Sequence, residues 1–309
     1  MLTLGLAGGV CILIGLLNLV VDPYNRFGLN RLGVYISAER ECKATEVRRF
    51  PHNALLIGNS RIAMIPVKDL NGFRFFNAAL GGATAEEVYY FLEHFADKEA
   101  VVVLSVELGQ TDPPSRAGDL FAPPTWTATL DNLLNLRTAE YSVRTVWSHF
   151  AGKTPALAAD GSFDTKPWFD AWDQPNPAHR DLVLKQMSDG YASTNSASSP
   201  NFNFKERMTF YTRIAECLNR RGIPCVVVIP PPHEAIAAHI RASGSLDKFQ
   251  RWRRDLDSIF PLVVDLSMSP YGAADNFFKA DPVHFKPDVG VQMLNAEVIP
   301  VAVKTVQKK

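Results

Sequence analysis

Five short apolar runs, separated by polar or helical stretches, constrain the fold of this chain more than any other feature. The strongest are AVVVLSVE at residues 100–107 and PCVVVIP at residues 224–230. Weaker runs lie at residues 54–58, 73–76 and 261–266. Continuous apolar runs of this length are typical of strands covered on both faces, as in parallel sheets. The chain is therefore predicted to contain five buried strands.

Helical patterns occupy the intervals between these runs. Thr84 and Glu87 have the spacing of a capping box, and apolar positions such as Val88, Phe91 and Phe95 then recur with a helical period. Further helices are predicted at residues 204–221, 249–260 and 288–298. Strands that alternate with helices indicate βαβ units. We therefore expect an α/β domain with three layers, α/β/α, around a parallel five-stranded sheet.

Residues 112–203 interrupt this alternation. The stretch is rich in Pro, Trp, Ser and Ala, and one helix is predicted in it, at residues 130–150. A loop-rich segment of this size in a compact domain is usually a functional insertion. Three tryptophans of the insertion are candidates for stacking on sugar rings, although packing onto the core is favoured: Trp126, Trp168 and Trp172.

The first 21 residues stand apart because they contain no charged side chain. A helix of about 20 apolar residues spans the roughly 30 Å of a bilayer's hydrocarbon core. A transmembrane anchor is favoured over a cleaved signal peptide, because no Ala-x-Ala-like site follows. The predicted organisation is an anchor at residues 1–21, a polar linker at 22–49, and a domain at 50–309 that contains the insertion.

Charge and cysteine content narrow the function classes. The 32 basic and 32 acidic side chains balance, which argues against nucleic-acid binding. Six basic residues follow the apolar segment, and by the positive-inside rule they would place the domain in the cytoplasm: Arg26, Arg31, Arg40, Lys43, Arg48 and Arg49. Cys217 and Cys225 flank a helix–strand turn, and both a disulfide and two free thiols remain open.

Polar residues follow each strand, and parallel strands bring their carboxyl ends to one edge of the sheet. Ser60 follows the first strand and is the candidate nucleophile. His284 lies beyond the fifth strand as the candidate base, and Asp281, three residues earlier, is the candidate orienter of its imidazole. Scattered histidines without ligand spacing predict no metal, and the lack of a Gly-rich phosphate loop predicts no cofactor.

Other residues at the same edge are candidates for substrate or oxyanion contacts. Arg61 follows the nucleophile, with a surface salt bridge as the alternative, and His233 follows the fourth strand, with a helix start as the alternative. Glu107, at the end of the third strand, is either a site carboxylate or a buried ion-pair partner. The remaining candidates follow the second and third strands: Asn77, Gly81, Gly82 and Gln110.

The order Gly58-Asn59-Ser60, then Asn77 to Gly82, then Asp281-Pro282-Val283-His284 resembles the SGNH (GDSL) hydrolase superfamily. The layout is similar to its membrane-anchored members in alginate O-acetylation and teichoic-acid D-alanylation. The resemblance implies a flavodoxin-like SGNH fold over about residues 55–302, with Ser60, His284 and Asp281 as the triad. Gly81 or Gly82 would supply an oxyanion donor beside the Ser60 N–H.

This resemblance also implies a function and a location. The activity would be that of a serine esterase or O-acyltransferase on acyl, chiefly acetyl, esters of an envelope or secreted bacterial polysaccharide. The partners would be this glycan, the membrane and a membrane-bound O-acyltransferase. The domain would face the periplasm from the inner membrane, against the charge rule above.

Two departures from the family pattern keep a rival open. Asn59 stands where the family has aspartate, and no asparagine follows the third strand, where only Gln110 offers an amide. A lost oxyanion donor costs about a hundredfold or more in rate. The rival is a catalytically silent binding or scaffold subunit of a polysaccharide assembly complex. A flavodoxin-like cofactor binder is the weaker alternative.

Overall fold

The parallel sheet organises the whole domain. The structure is a computed structural model that describes residues 2–36, 38–107, 120–123, 125–163, 170–193, 204–242 and 246–308. Its strands are β1 (Ala54–Ile57), β2 (Phe75–Asn77), β3 (Val101–Ser105), β4 (Cys225–Ile229) and β5 (Val263–Asp265). All are parallel, in the order β2-β1-β3-β4-β5, which is that of a flavodoxin-like sheet. The predicted α/β class and five-stranded sheet are confirmed.

The helices are numbered in chain order. They are α1 (Leu2–Val21), α2 (Glu39–Arg49), α3 (Ser60–Ala63), α4 (Ala85–Phe95), α5 (Trp126–Leu134), α6 (Leu136–Phe150), α7 (Pro177–Ser193), α8 (Phe204–Arg220), α9 (Glu234–Ala242), α10 (Leu246–Ile259), α11 (Pro287–Met293) and α12 (Ile299–Gln307). A π-helical turn, Leu294–Val298, joins the last two.

Two apolar clusters cover the two faces of the sheet. Phe91 of α4, Ile214 of α8 and Trp252 of α10 belong to one cluster, and Met293 and Val298 belong to the other. The strands β1, β3 and β4 are buried at every residue. Burial on both faces explains why these strands read as unbroken apolar runs instead of alternating ones.

Helix α4 begins as its sequence predicts. The Thr84 side chain accepts the Glu87 N–H, and the Glu87 side chain accepts the Thr84 N–H, so the capping box is confirmed. Cys217 and Cys225 are free, buried thiols, and burial raises the pKa of Cys225 to about 12.

The segment predicted as a polar linker differs from that expectation, because residues 39–49 form α2. Cys42, Lys43 and Val47 of this helix are buried. The charged composition of the segment conceals how much of it packs on the domain. Its position places acidic and basic side chains beside the loop that follows β2.

The single helix predicted at residues 130–150 is wrong. The chain breaks at Asn135, whose backbone is extended and whose side chain accepts the Arg137 N–H at 2.8 Å, so α5 ends and α6 begins there. Helix α7 was not predicted. The predicted final helix, 288–298, extends through the π-helical turn to Gln307.

Two helical stretches bear on the membrane question. Among the described residues, Pro287–Gln307 is long and apolar enough to cross a membrane, by length and composition alone. Its residues Met293, Leu294 and Val298 pack against the sheet, as expected of a core helix. Gly8–Val21, within α1, is a shorter apolar helix.

Candidate active site

The candidate nucleophile, Ser60, follows the strand at which the strand order of the sheet reverses. Strand β1 pairs with β2 on one side and with β3 on the other, which makes it the switch point of the sheet. Open α/β sheets generally bind ligands beyond the carboxyl ends of the strands at such a point. Gly58 begins the turn. A Cβ atom there would lie 2.9 Å from the Ser105 carbonyl oxygen, so a side chain would force the turn away from β3.

Asn59 fixes the start of the short helix α3. Its Oδ1 accepts the Arg61 N–H at 3.1 Å, which makes Asn59 the N-cap and Ser60 the first helical residue. The Ser60 hydroxyl therefore leaves the sheet edge at a defined point, immediately beyond β1.

Three predicted residues form one chain of hydrogen bonds. Ser60 Oγ lies 2.9 Å from His284 Nε2, and His284 Nδ1 lies 2.6 Å from Asp281 Oδ2. Asp281 Oδ1 also accepts the Val283 N–H at 2.8 Å, which fixes the carboxylate. The His284 and Asp281 side chains are 14 % and 10 % exposed, so these two groups are largely shielded from solvent. A nucleophile, a base and an orienting group stand in the order that acyl transfer requires.

A closed turn presents Asp281 and His284. Phe277 and Phe285 form an antiparallel bridge across its base, and the Lys286 N–H donates to the Asn276 carbonyl at 2.8 Å. Both phenylalanines are buried in the core, so the turn is fixed by packing as well as by hydrogen bonds. This support explains how a distant segment meets Ser60.

Trp172, from the insertion, stacks on the imidazole of His284. Its ring lies 5.3 Å from that of His284, at an interplanar angle of 9°. The Trp172 carbonyl accepts the Ala280 N–H at 2.8 Å, so the backbone of the insertion is also tied to the turn that carries the triad. The sequence named Trp172 only as a candidate for sugar stacking or core packing, and its spacing gave no link to His284.

Asn59 and Glu107 belong together. The Asn59 amide donates to Glu107 Oε1 at 3.0 Å, and Arg61 Nη1 lies 3.6 Å from Glu107 Oε2. An aspartate at position 59 would place two carboxylates at this distance, without a proton to join them. Asn59 therefore suits the carboxylate at the end of β3, and Glu107 is an ion-pair partner.

Arg61 is buried, which excludes the surface salt bridge expected for it. Its guanidinium donates to the Pro231 carbonyl and lies over the Phe285 ring at 5.5 Å. Its polar contacts join the loops that follow β1, β3 and β4. Arg61 therefore stabilises the arrangement of these loops at the carboxyl edge of the sheet.

Asn77 is fully buried and bound to the backbone. Its amide nitrogen contacts the carbonyls of Ile62, Ala63 and Ile65, and its Oδ1 accepts the Ala79 N–H. An amide group offers only two protons, and both are directed to these carbonyls. Asn77 thus ties the helix of the nucleophile to β2 instead of facing a substrate.

The loop after β2, residues 78–82, is called the glycine loop. It lies beside Ser60, because the Leu80 N–H donates to the Gly58 carbonyl at 3.0 Å. The Gly81 N–H, an expected oxyanion donor, is bound by the Glu39 carboxylate at the start of α2. Lys43, one turn further, donates to the Ala79 carbonyl, and complete burial lowers its pKa to about 8, with Glu39 opposing this shift. The expected oxyanion donor is therefore already engaged by a carboxylate acceptor. The sequence did not indicate it, because Glu39 lies in the predicted linker.

Three candidates remain, and two of them lie within the described residues. His233 is buried, and its Nδ1 accepts the Ala235 N–H at 3.2 Å, so it begins α9 as the alternative reading expected. Burial lowers the pKa of His233. Gly82 follows Gly81 with a φ of 59°, and Gln110 lies outside the described residues.

Within the described ranges, no group of three or more His, Cys, Asp or Glu side chains is placed to hold a metal ion. No protein-family model matches the chain, and a search of curated proteins gives no significant match. The geometry of the site must therefore carry the functional argument.

Proposed function

We propose that this chain is a serine esterase or O-acyltransferase of the SGNH type, which works through Ser60, His284 and Asp281. The observation that carries the proposal is the unbroken hydrogen-bonded chain from Ser60 Oγ through the imidazole to Asp281, at the switch point of a parallel sheet. A nucleophile–base hydrogen bond followed by a base–orienter hydrogen bond is the mutual geometry expected of a catalytic triad.

The chemistry follows from the order of the groups. His284 Nε2 removes the Ser60 hydroxyl proton as Oγ attacks the ester carbonyl, and Asp281 stabilises the resulting imidazolium. The imidazolium then protonates the leaving alkoxide, and an acyl-serine remains. Water or a sugar hydroxyl next loses its proton to His284 and attacks the acyl-serine, which releases an acid or a new ester and restores Ser60.

The substrate class rests on the family resemblance. Acyl esters of an envelope or secreted polysaccharide, chiefly acetyl esters, fit a site that opens at the sheet edge beside an insertion. Helix α1 is proposed as a single-pass anchor in the bacterial inner membrane, with the domain on the periplasmic side and a membrane-bound O-acyltransferase as partner. In support, apolar side chains of α1 such as Leu6, Ile12 and Leu13 are exposed.

A silent binding or scaffold subunit is the second candidate. The contact between Glu39 and the Gly81 N–H favours it, because this carboxylate competes with any oxyanion for that donor. In this case the triad would be retained without turnover, and the insertion would serve to hold the glycan.

A fluorophosphonate probe on the full-length chain in detergent tests the proposal. We expect covalent labelling of the wild type and loss of labelling in Ser60→Ala and His284→Ala. Ser258→Ala, which changes an exposed serine on α10, is the matched control and should label fully. Folding of each variant is checked by its thermal transition.

Two outcomes separate the candidates. Labelling that persists in Ser60→Ala would exclude the assigned nucleophile. No labelling of any form, in folded protein that binds acylated glycan, would favour the silent subunit over the esterase.

A further inference from the structure

Helix α6 is packed with its polar face inward. Its buried side chains are small and hydroxylated, namely Thr138, Ser142, Thr145 and Ser148. Four of its large apolar side chains are 58–81 % exposed, namely Leu136, Val143, Trp147 and Phe150. A helix on the surface of a water-soluble domain normally does the reverse, because burial of apolar area drives its docking.

The inward face has specific partners. Ser142 Oγ donates to Asn18 Oδ1 at 2.9 Å, and the Asn18 amide donates to the Leu133 carbonyl at 2.8 Å and contacts that of Asn135 at 3.3 Å. Tyr24 meets Tyr141 edge to face at 5.8 Å. Helix α6 therefore faces α1 and the segment after it through polar contacts, and its apolar stripe is left outward.

Helix α5 continues the same surface. Trp126, Leu130 and Leu134 recur at four-residue intervals and are 74 %, 44 % and 49 % exposed. A Cβ atom on Gly15 of α1 would lie 3.6 Å from Leu134 Cδ2, so this stripe adjoins α1. Helix α1 adds its own exposed apolar side chains, namely Leu6, Val10, Ile12, Leu13, Leu16 and Val20. We define the apolar platform as these residues of α1 together with the outward stripes of α5 and α6.

The chemistry of the platform fits the interface of a bilayer. Aromatic rings such as Trp126, Trp147 and Phe150 favour the headgroup level, where one side of a ring is apolar and the other wet. Lys153 Nζ lies 4.2 Å from the Trp147 ring centroid. Residues 136–153 carry the cations Arg137, Arg144 and Lys153 against one carboxylate, Glu140. Cations that flank an apolar stripe are attracted to anionic headgroups.

We propose that the α5–α6 pair lies in the interface of a lipid bilayer beside α1, as a second membrane contact of the chain. The polar inward face and the apolar outward face then both have suitable surroundings. The proposal shares the membrane placement of α1 with the proposed function, but it does not depend on catalysis. It commits to lipid as the occupant, because the apolar stripes continue directly onto α1 and end in aromatic and cationic residues.

Spin-label accessibility on the full chain tests this placement. The protein, in a Cys11→Ser background, is reconstituted into vesicles of phosphatidylcholine and phosphatidylglycerol. Nitroxides are attached to Val143→Cys and Trp147→Cys on the stripe, and to Leu182→Cys as the matched control. Leu182 is 54 % exposed on α7, which is not part of the platform. Collision rates are measured with oxygen, which partitions into lipid, and with a water-soluble nickel chelate.

We expect the oxygen-to-nickel collision ratio at positions 143 and 147 to exceed that at 182 several-fold. Equal ratios at positions 143, 147 and 182 would overturn the proposal. Protection at 143 and 147 from both reagents, with dipolar broadening between labels, would also overturn it and would assign the stripe to a contact with a second copy. Catalytic activity is not a readout here, so failure of the proposed function leaves this result intact.

Discussion

The two sides of the candidate site are built differently. On the triad side, His284 reaches Ser60 at 2.9 Å and Asp281 at 2.6 Å, so each group serves the next. On the side of the glycine loop, the Gly81 N–H is bound by Glu39 and the Ala79 carbonyl by Lys43. The nucleophile is thus assembled while an expected oxyanion donor is engaged elsewhere. In the proposed esterase, the triad side would therefore be complete, whereas oxyanion stabilisation on the other side would be weakened.

The largest effect is expected on the triad side. Asp281→Asn keeps an acceptor for the Val283 N–H but can hold His284 in the wrong tautomer, so the turnover of a small aryl ester should fall about a thousandfold to ten-thousandfold. Asp275→Asn, on a neighbouring exposed turn, is the control and should retain activity. An Asp281→Asn enzyme with near wild-type turnover would show that the triad side does not set the rate.

The next effect concerns the buried lysine beside the glycine loop. Because the folded pKa of Lys43 is lowered from 10.5 to about 8, the unfolded chain binds more protons between these values, and stability from this group rises with pH there. At about 1.4 kcal/mol for each pKa unit, the unfolding free energy of the wild type should gain roughly 3 kcal/mol relative to Lys43→Met across this range. Denaturant unfolding at several pH values measures it.

Lys68→Met, at an exposed position, is the control and should show no such difference. A parallel pH dependence for wild type and Lys43→Met would mean that Lys43 is solvated. The Lys43 contact with the Ala79 carbonyl would then contribute little to holding the loop that carries Ala79 and Gly81.

A smaller effect is expected from the ring that stacks on the base. Aromatic stacking contributes about 0.5–1.5 kcal/mol, so Trp172→Ala should lower kcat roughly tenfold by freeing the imidazole. Trp172→Phe should recover part of this loss, and Trp126→Ala should have no effect on ester turnover. Full activity in Trp172→Ala would restrict the triad side to its three hydrogen-bonded residues.

The smallest effect is expected on the glycine loop. Glu39→Ala frees the Gly81 N–H and should raise ester turnover several-fold, whereas Glu41→Ala on the same helix should not. Steady-state kinetics with one small ester measures both variants. An unchanged rate in Glu39→Ala would remove Gly81 from the reaction and leave the oxyanion to other donors.

The sequence predicted the triad because topology alone brings those motifs together. Ser60 follows β1, and His284 and Asp281 follow β5, and in a parallel sheet both positions lie at the carboxyl edge. The five strands were predicted for a similar reason, since burial on both faces leaves an unbroken apolar run.

Tertiary contacts explain what the sequence did not predict. Glu39 and Trp172 reach the site from segments read as a linker and an insertion, and no local pattern records where such segments dock. Asn59 departs from the family's aspartate, and the reason is its hydrogen bond to Glu107, with Nδ2 and Oε1 3.0 Å apart. A single sequence does not show that residues so far apart along the chain are in contact. The pattern of helix α6 would predict that its apolar side chains are buried, but they face outward and its Thr and Ser side chains are buried.

The buried Asn18 fixes helix α1 against α5 and α6. Its side chain is 1 % exposed and is tied to the end of α5 and to Ser142 of α6. A domain joined to its anchor by a flexible linker would hold its candidate site at widely varying distances from the membrane. The Asn18 contacts hold α1 against α5 and α6, so, with α1 as the proposed anchor, they would restrict the distance of Ser60 from the bilayer. The proposed esterase would then reach only those esters that lie within this range of distances from the bilayer.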